Sequence, residues 1–195
     1  MEIIYLDHAA ATPLDDYALT VMKPYFSELF YNPSAPYINA VNVRNDYEKA
    51  KSELAQTFGA KGDELVITAG ATESINLAFS CLEESDEVIT INTEHKSVLV
   101  LAKEHHGKIL SVNKSGMIDL KDLKNAITDN TKLISIAIAN NEIGVIQPLR
   151  EIAEIVKEIR VDRLARGIKK PIYLHADGSQ GFTVLDINVS RLGLD

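Results

Sequence analysis

The chain has 195 residues, of which 46% are hydrophobic and 25% charged, a composition typical of a folded rather than a disordered protein. Its formal net charge of −8 gives no electrostatic reason to expect nucleic acid as a partner. No apolar run reaches the roughly 18–20 residues needed to cross a bilayer, and the first residues lack a secretory signal pattern. We therefore expect a cytoplasmic protein with no nucleic-acid or membrane partner.

Residues 1–60 are expected to form an N-terminal segment of helices. A helical stretch near 15–30 is interrupted at Pro24, because proline removes a backbone donor and restricts the residue before it. A longer helix of mixed polar and apolar residues is predicted from about 38 to 58.

From residue 61 onwards, short β-branched runs alternate with amphipathic helical patterns. The predicted strands are 64–68, 87–92, 108–112, 132–138 and 171–176, and the predicted helices are 71–84, 94–106, 119–127 and 149–166. The strands are continuous apolar runs, as expected for a sheet that is covered on both faces. The alternation predicts an α/β domain over 61–195 with a mostly parallel sheet flanked by helices.

The single cysteine, Cys81, excludes an intrachain disulfide and a cysteine-based metal cluster. It lies in helical register with Leu77, Ala78 and Leu82, so we expect a small buried apolar side chain. A reactive thiol is the alternative, but no neighbouring residue in the sequence supports it. The chain also lacks an H-E-x-x-H or comparable ligand spacing, and no metal site is expected.

Polar residues follow four of the predicted strands at the point where each strand ends. These segments are "AGATES" (69–74), "TEHKS" (93–97), "ANNEIG" (139–144) and "ADGSQ" (176–180). Ligands of open α/β sheets bind beyond the carboxyl ends of the strands. The four segments are therefore expected to converge on one site.

The first of these segments leads directly into a helix. Small residues allow the backbone to approach a ligand, and the free N–H groups of the first helical turn, together with the Thr72 hydroxyl, suit a phosphate. The alternative is a simple N-cap at Thr72. His95, in the second segment, could stack on a planar ligand or move protons, although a histidine at a helix start is more often a surface residue.

The last two segments add amides and a carboxylate. Residues 139–149 carry two asparagines, which could simply stabilise a turn. Asp177 could pair with a protonated ring nitrogen, and Gln180 could donate to a ring oxygen. A phosphate site, a stacking imidazole, an amide and a carboxylate together describe a pyridoxal phosphate site.

The chain resembles the cysteine desulfurases, which belong to the class V aminotransferase group with fold type I. Six segments carry the resemblance in the same order as in that family: "YLDHAAATP", "NPSAPY", "ITAGATESINLA", "TEHKSVL", "NNEIGVIQPL" and "HADGSQ".

The resemblance implies a role for each matching residue. Ala71 and Thr72 match the phosphate-binding pair. His95 matches the histidine that stacks on the ring and takes part in proton transfer, which makes it the candidate catalytic residue. Asn141 and Gln180 match residues that hydrogen-bond around the ring oxygen. Asp177 matches the carboxylate on the pyridine nitrogen.

The resemblance also implies a reaction and partners. The reaction removes sulfur from L-cysteine, giving alanine and an enzyme-bound persulfide that supplies iron–sulfur cluster assembly or thiolation. The implied partners are a sulfur-acceptor or scaffold protein and a second copy of the chain in a homodimer.

Two functional parts of the family are not found in this sequence. The Schiff-base lysine of a Ser-x-His-Lys segment and the persulfide cysteine both lie further downstream in the family. We therefore expect 61–195 to be an incomplete pyridoxal phosphate-binding large domain, without the small C-terminal domain and inactive alone. The alternatives are another class V enzyme, such as a selenocysteine lyase or an aminotransferase, and a non-catalytic binding or interaction protein.

Overall fold

The structure, a computed structural model, describes residues 3–182 and 184–195. The chain divides into two compact units, Met1–Leu65 and Val66–Asp195. Within the described ranges, no helix combines the length and the apolar character needed to span a membrane.

The first unit is helical. Helix α1 (Asp16–Met22) begins at Asp15, whose carboxylate accepts hydrogen bonds from the Tyr17 and Ala18 N–H groups. The chain continues as a short 3-10 helix that contains Pro24, which confirms the predicted interruption. The long helix α2 (Ile38–Thr57) follows, close to its predicted bounds.

The second unit contains a four-stranded sheet in the order β2-β1-β3-β4, and every neighbouring pair is parallel. This confirms the predicted fold class. The strands are β1 (Glu87–Ile91), β2 (Lys108–Leu110), β3 (Thr131–Ser135) and β4 (Tyr173–His175). The helices are α3 (Ala71–Phe79), α4 (Lys96–Glu104), α5 (Leu120–Ala126), α6 (Leu149–Ala165) and α7 (Val189–Leu192).

Two apolar clusters cover the two faces of the sheet. Val88 and Leu133 pack in one cluster with residues of α3 and α4. Ile89 and Ile134 point to the other face and pack with residues of α5 and α6. Because successive strand residues point to opposite faces, burial on both faces produces the continuous apolar runs seen in the sequence.

Two expectations from the sequence are wrong. Residues 64–68 do not form a strand: Glu64 ends a 3-10 helix (Gly62–Glu64), residues 65–68 are irregular, and Val66 and Ile67 are 64% and 54% exposed. A β-branched run becomes a strand only where a neighbouring strand pairs with its backbone, and the described residues supply none. Cys81 is exposed rather than buried, because α3 ends at Phe79 and no longer carries Cys81 on its apolar face.

Candidate cofactor site

A cavity of about 210 Å³ lies at the carboxyl-terminal edge of the sheet in the second unit. All six residues singled out from the sequence line it. The full lining consists of Ala71, Thr72, Thr93, His95, Ser97, Ala137, Ala139, Asn140, Asn141, Asp177, Ser179 and Gln180. The four polar segments therefore meet, although the sequence separates the first from the last by about a hundred residues.

The N-terminus of α3 forms one end of the cavity. Its N-cap is Gly70, which provides no side-chain hydrogen bond, so the first amides of the helix have neither a capping side chain nor an intrahelical acceptor. The interpretation of Thr72 as a simple N-cap is wrong, because Thr72 is the second residue of the helix. Glu73 folds back, and its carboxylate accepts the Ala69 N–H at 2.6 Å. The helix dipole and free amides suit an anionic group such as a phosphate.

His95 is the N-cap residue of α4. Its Nδ1 accepts the Ser97 N–H at 3.2 Å and lies 2.7 Å from the Ser97 Oγ. Since Nδ1 accepts a backbone hydrogen bond, the neutral imidazole carries its proton on Nε2. The cap fixes one edge of the ring and leaves Nε2 as the atom that can exchange a proton.

The two asparagines after β3 have different positions. The Asn140 amide donates to the Thr93 carbonyl at 2.7 Å, and its Oδ1 accepts the N–H groups of Glu142 and Ile143. Asn140 therefore stabilises the loop, as the turn interpretation expects. Asn141 is exposed and lines the cavity, and no side-chain hydrogen bond to it is seen within the described residues.

Asp177 is held at the end of β4 by backbone and side-chain contacts. Its carbonyl accepts the Ile138 N–H at 2.9 Å, which continues the pairing of β3 with β4 beyond the ends of both strands. Its Oδ1 accepts both the Ser179 N–H at 2.9 Å and the Ser179 hydroxyl at 2.6 Å. This Asx turn fixes the carboxylate and brings Gln180 to the same cavity.

Glu94 is a residue of this region that the sequence reasoning missed. It is 6% exposed, and its Oε1 accepts the Ala137 N–H at 2.7 Å. Burial, and secondarily the charge of Asp177, raise the pKa of Glu94 to about 7, against the opposing effect of the Ala137 bond. The signal in the sequence was the position of this acid, between a predicted buried strand and His95.

His175 is the last residue of β4 and lies two residues before Asp177. Its Nδ1 is 2.9 Å from the Ser135 Oγ. Burial lowers the pKa of His175, and the charge of Asp177 opposes that effect only in part. The imidazole is therefore neutral near pH 7.

The donor set fits pyridoxal phosphate without a covalent bond. The α3 amides and Thr72 hydroxyl suit its phosphate, the His95 ring its planar face, and Asp177 its ring nitrogen. Asn141 and Gln180 supply amide donors at the same cavity. No lysine lines this cavity within the described residues.

Comparison with known proteins shows which sequences this chain is similar to. The profile of the family described as "Aminotransferase class-V" matches residues 4–195. The chain is 39% identical to "Cysteine desulfurase IscS" of Rickettsia massiliae (strain Mtu5) and 40% identical to the protein of that name from Rickettsia felis. Both alignments cover 98% of this chain and 47% of the relative. The chain thus spans about half the length of the curated relatives it matches.

Solved structures agree with these relatives. The structure "SspA in complex with cysteine" matches with a TM-score of 0.87 and 37% identity, over 98% of this chain and 55% of that one. A NifS-like protein from Rickettsia africae ESF-5 matches with a TM-score of 0.85 and 30% identity, over 100% of this chain and 52% of that one.

Proposed function

Since the chain belongs to the class-V aminotransferase family, we propose that its second unit carries the phosphate, ring-stacking and ring-nitrogen sides of the cofactor site of a cysteine desulfurase. Enzymes of this family depend on pyridoxal phosphate. The observation that carries the proposal is the meeting of Ala71, Thr72, His95, Asn141, Asp177 and Gln180 at one cavity. The relatives named cysteine desulfurase, and the similar protein solved with cysteine, support L-cysteine as the substrate.

Pyridoxal phosphate, when bound, supplies an electron sink for the bonding electrons of an amino-acid substrate. The residues of this chain bind, orient and exchange protons. The first amides of α3 and the Thr72 hydroxyl bind the phosphate, and Asp177 pairs with the ring nitrogen and keeps it protonated. His95 stacks on the ring and exchanges a proton at Nε2, because Nδ1 is occupied by the Ser97 N–H.

The lysine and the persulfide cysteine of the reaction come, in this proposal, from polypeptide outside residues 1–195. Two observations support this. The cavity of about 210 Å³ is smaller than the roughly 300–1,000 Å³ of ordinary ligand pockets, as expected for one wall of a larger site. The relatives also extend well beyond the half that this chain covers. The division into an N-terminal helical segment (1–60) and a partial large domain (61–195) belongs to the same proposal.

The proposed partners are a sulfur-acceptor or scaffold protein for iron–sulfur assembly or thiolation, and a second copy of the chain. Large apolar side chains exposed in the first unit, among them Ile3, Ile4 and Leu6 at 89%, 81% and 84%, support association with other polypeptide. Cytoplasmic location is a further part of the proposal, and cell fractionation tests it.

Equilibrium dialysis against pyridoxal phosphate, with the free ligand measured by absorbance, tests the cofactor site; the chain has no tryptophan to report binding by fluorescence. Asp177→Asn is expected to weaken binding by roughly 10-fold to 100-fold, because it removes a charge-assisted hydrogen bond to the ring nitrogen. Asp186→Asn is the matched control: its carboxylate is exposed, pairs with Arg191 and does not line the cavity. Equal losses in both variants would contradict the proposed site.

Borohydride reduction followed by peptide mapping tests the origin of the lysine. We expect that no lysine within residues 1–195 forms a pyridoxal phosphate adduct that is lost in Asp177→Asn. We also expect the chain alone to release no sulfide from cysteine. An Asp177-dependent lysine adduct together with cysteine turnover would show that the chain completes the site by itself.

A further inference from the structure

We propose that Glu94 is a positioning residue for Asp177. The Glu94 carboxyl holds a proton on its Oε2, so that the carboxyl groups of Glu94 and Asp177 together carry a single negative charge. The inference rests on the function proposed above, because Asp177 matters there as the partner of a cationic ring nitrogen. Neither the sequence pattern nor the resemblance assigned Glu94 a role.

Glu94 and Asp177 are fixed to neighbouring amides of one stretch of backbone. The Glu94 Oε1 accepts the Ala137 N–H at 2.7 Å, and the Asp177 carbonyl accepts the Ile138 N–H at 2.9 Å. Ala137 lines the cavity beside Asp177. Both acids are therefore held at the end of β3, one from the segment after β1 and the other from the segment after β4.

The second oxygen of Glu94 is the informative atom. Oε2 is buried and has no hydrogen-bond partner among the described residues. A buried carboxylate oxygen without a donor is strongly unfavourable, and the neutral carboxylic acid lowers that penalty because it removes the buried charge. The raised pKa of Glu94, caused first by burial and then by Asp177, agrees with this geometry.

The titratable side chains on the segments around Glu94 and Asp177 also include His95, Lys96, Glu142 and His175. Ser97 occupies the Nδ1 of His95. His175 on β4 bonds to Ser135, and its lowered pKa leaves it neutral near pH 7. Asp177 is the titratable group within the described residues whose charge acts on Glu94.

A purely structural role would make Glu94 only an acceptor for the Ala137 N–H. Glutamine can accept the same hydrogen bond through its amide oxygen, and its amide nitrogen resembles the protonated acid. Glu94→Gln therefore keeps the structural contact and removes the titration, so the variant separates the two roles.

The proposal predicts that the protonation of Glu94 is coupled to the binding of pyridoxal phosphate. A cation paired with Asp177 offsets the negative charge that favours the protonated form of Glu94. Ligand binding then releases the Glu94 proton, and by reciprocity binding tightens as the pH rises.

The test is the dissociation constant of pyridoxal phosphate for the wild-type chain and for Glu94→Gln, measured by equilibrium dialysis between about pH 5.5 and 8.5. The titration of the ligand itself cancels in the ratio of wild-type to variant values. We expect this ratio to fall roughly tenfold as the pH rises, with a one-proton midpoint near the pKa of Glu94. The same comparison made in an Asp177→Asn background is expected to give a flat ratio.

A second readout needs no ligand. The carboxyl carbon resonance of Glu94, assigned by its absence in Glu94→Gln, is expected to titrate near pH 7 in the wild-type chain and at lower pH in Asp177→Asn. A titration at the ordinary carboxyl value overturns the inference. So does a pH-independent ratio when both chains bind the ligand, and that result leaves the proposed function intact. Failure of every chain to bind the ligand overturns the proposed function and this inference with it.

Discussion

Replacement of Arg163 by methionine tests how the sheet is stabilised at the end where β3 and β4 begin. Arg163 lies on α6, is 3% exposed, and donates four hydrogen bonds to backbone carbonyls. Two go from Nη1 to Lys170 and Pro171, just before β4, at 3.1 and 3.2 Å. Two go from Nη2 to Thr128, three residues before β3, and to Thr131, its first residue, at 2.7 Å each.

The expected cost of Arg163→Met is about 3–4 kcal/mol of unfolding free energy. Each hydrogen bond from a charged donor contributes roughly 1.5–3 kcal/mol, and the substitution leaves buried carbonyls without a donor. Part of that loss is offset, because methionine no longer requires a buried charge to be desolvated. Burial already lowers the pKa of Arg163, and its Nε has no partner among the described residues. The loss is a large fraction of the roughly 5–15 kcal/mol that stabilises a typical domain.

Urea unfolding followed by circular dichroism measures this loss, with Arg166→Met as the matched control. Arg166 follows α6 and bonds to Asp129 and Asp162 at the surface, so its removal is expected to change the unfolding free energy far less. Arg163→Lys is expected to fall between the wild type and Arg163→Met, because one ammonium group cannot reach both pairs of carbonyls. A loss in Arg163→Met no greater than in Arg166→Met would refute the argument.

Two pH-dependent predictions follow from buried acids. The pKa of Glu94 is about 7 in the folded chain against an ordinary value of 4.5, so the folded state binds more protons between these values. The unfolding free energy should fall by up to about 3 kcal/mol as the pH rises through that window, and Glu94→Gln should abolish the slope in urea unfolding at pH values on either side. For Asp86, burial acts to raise the pKa, but bonds from Lys132 and Lys170 outweigh it and hold the pKa below the usual range. The stability that Asp86 gains from Lys132 and Lys170 should be present above about pH 4 and disappear as the pH falls further. Asp86→Asn should lose this stability at neutral pH and show a shallower acid unfolding transition. An acid unfolding profile that is the same in Asp86→Asn and the wild type would contradict the prediction.

Much of the fold could be predicted from the sequence because hydrophobic period and local signals agree there. The apolar runs that became β1 and β3 pack against helices on both faces, and Asp119 accepts the first amides of α5 as a capping aspartate should. Residues 64–68 carry the same local signal, yet they form no strand. The difference depends on a partner strand, which is a long-range property that the local sequence does not contain.

The candidate site could be predicted as a set of strand ends, but not in its buried detail. His95, Asn141 and Asp177 could be predicted because polar residues after buried strands share one edge of a parallel sheet. Ala71 lines the same cavity although the described residues before its segment form no strand. Glu94 escaped because its significance depends on burial and on the Ala137 amide, more than 40 residues away in the chain. Neither property can be predicted from the residues next to Glu94 in the sequence.

The position of Glu94 follows from the unequal lengths of neighbouring strands. Ile89 lies opposite Ile134, but β1 ends at Ile91, whereas the pairing of β3 with β4 continues to the hydrogen bond between Ile138 and Asp177. A cavity therefore opens where β1 has turned away, and the Ala137 amide would be left there without a strand carbonyl. Buried amides are nearly always paired, and the Glu94 carboxyl supplies the missing acceptor. The same step that creates the cavity thus requires a buried acceptor beside it, and an acid in that place brings the proton that we propose Glu94 holds under the influence of the Asp177 charge.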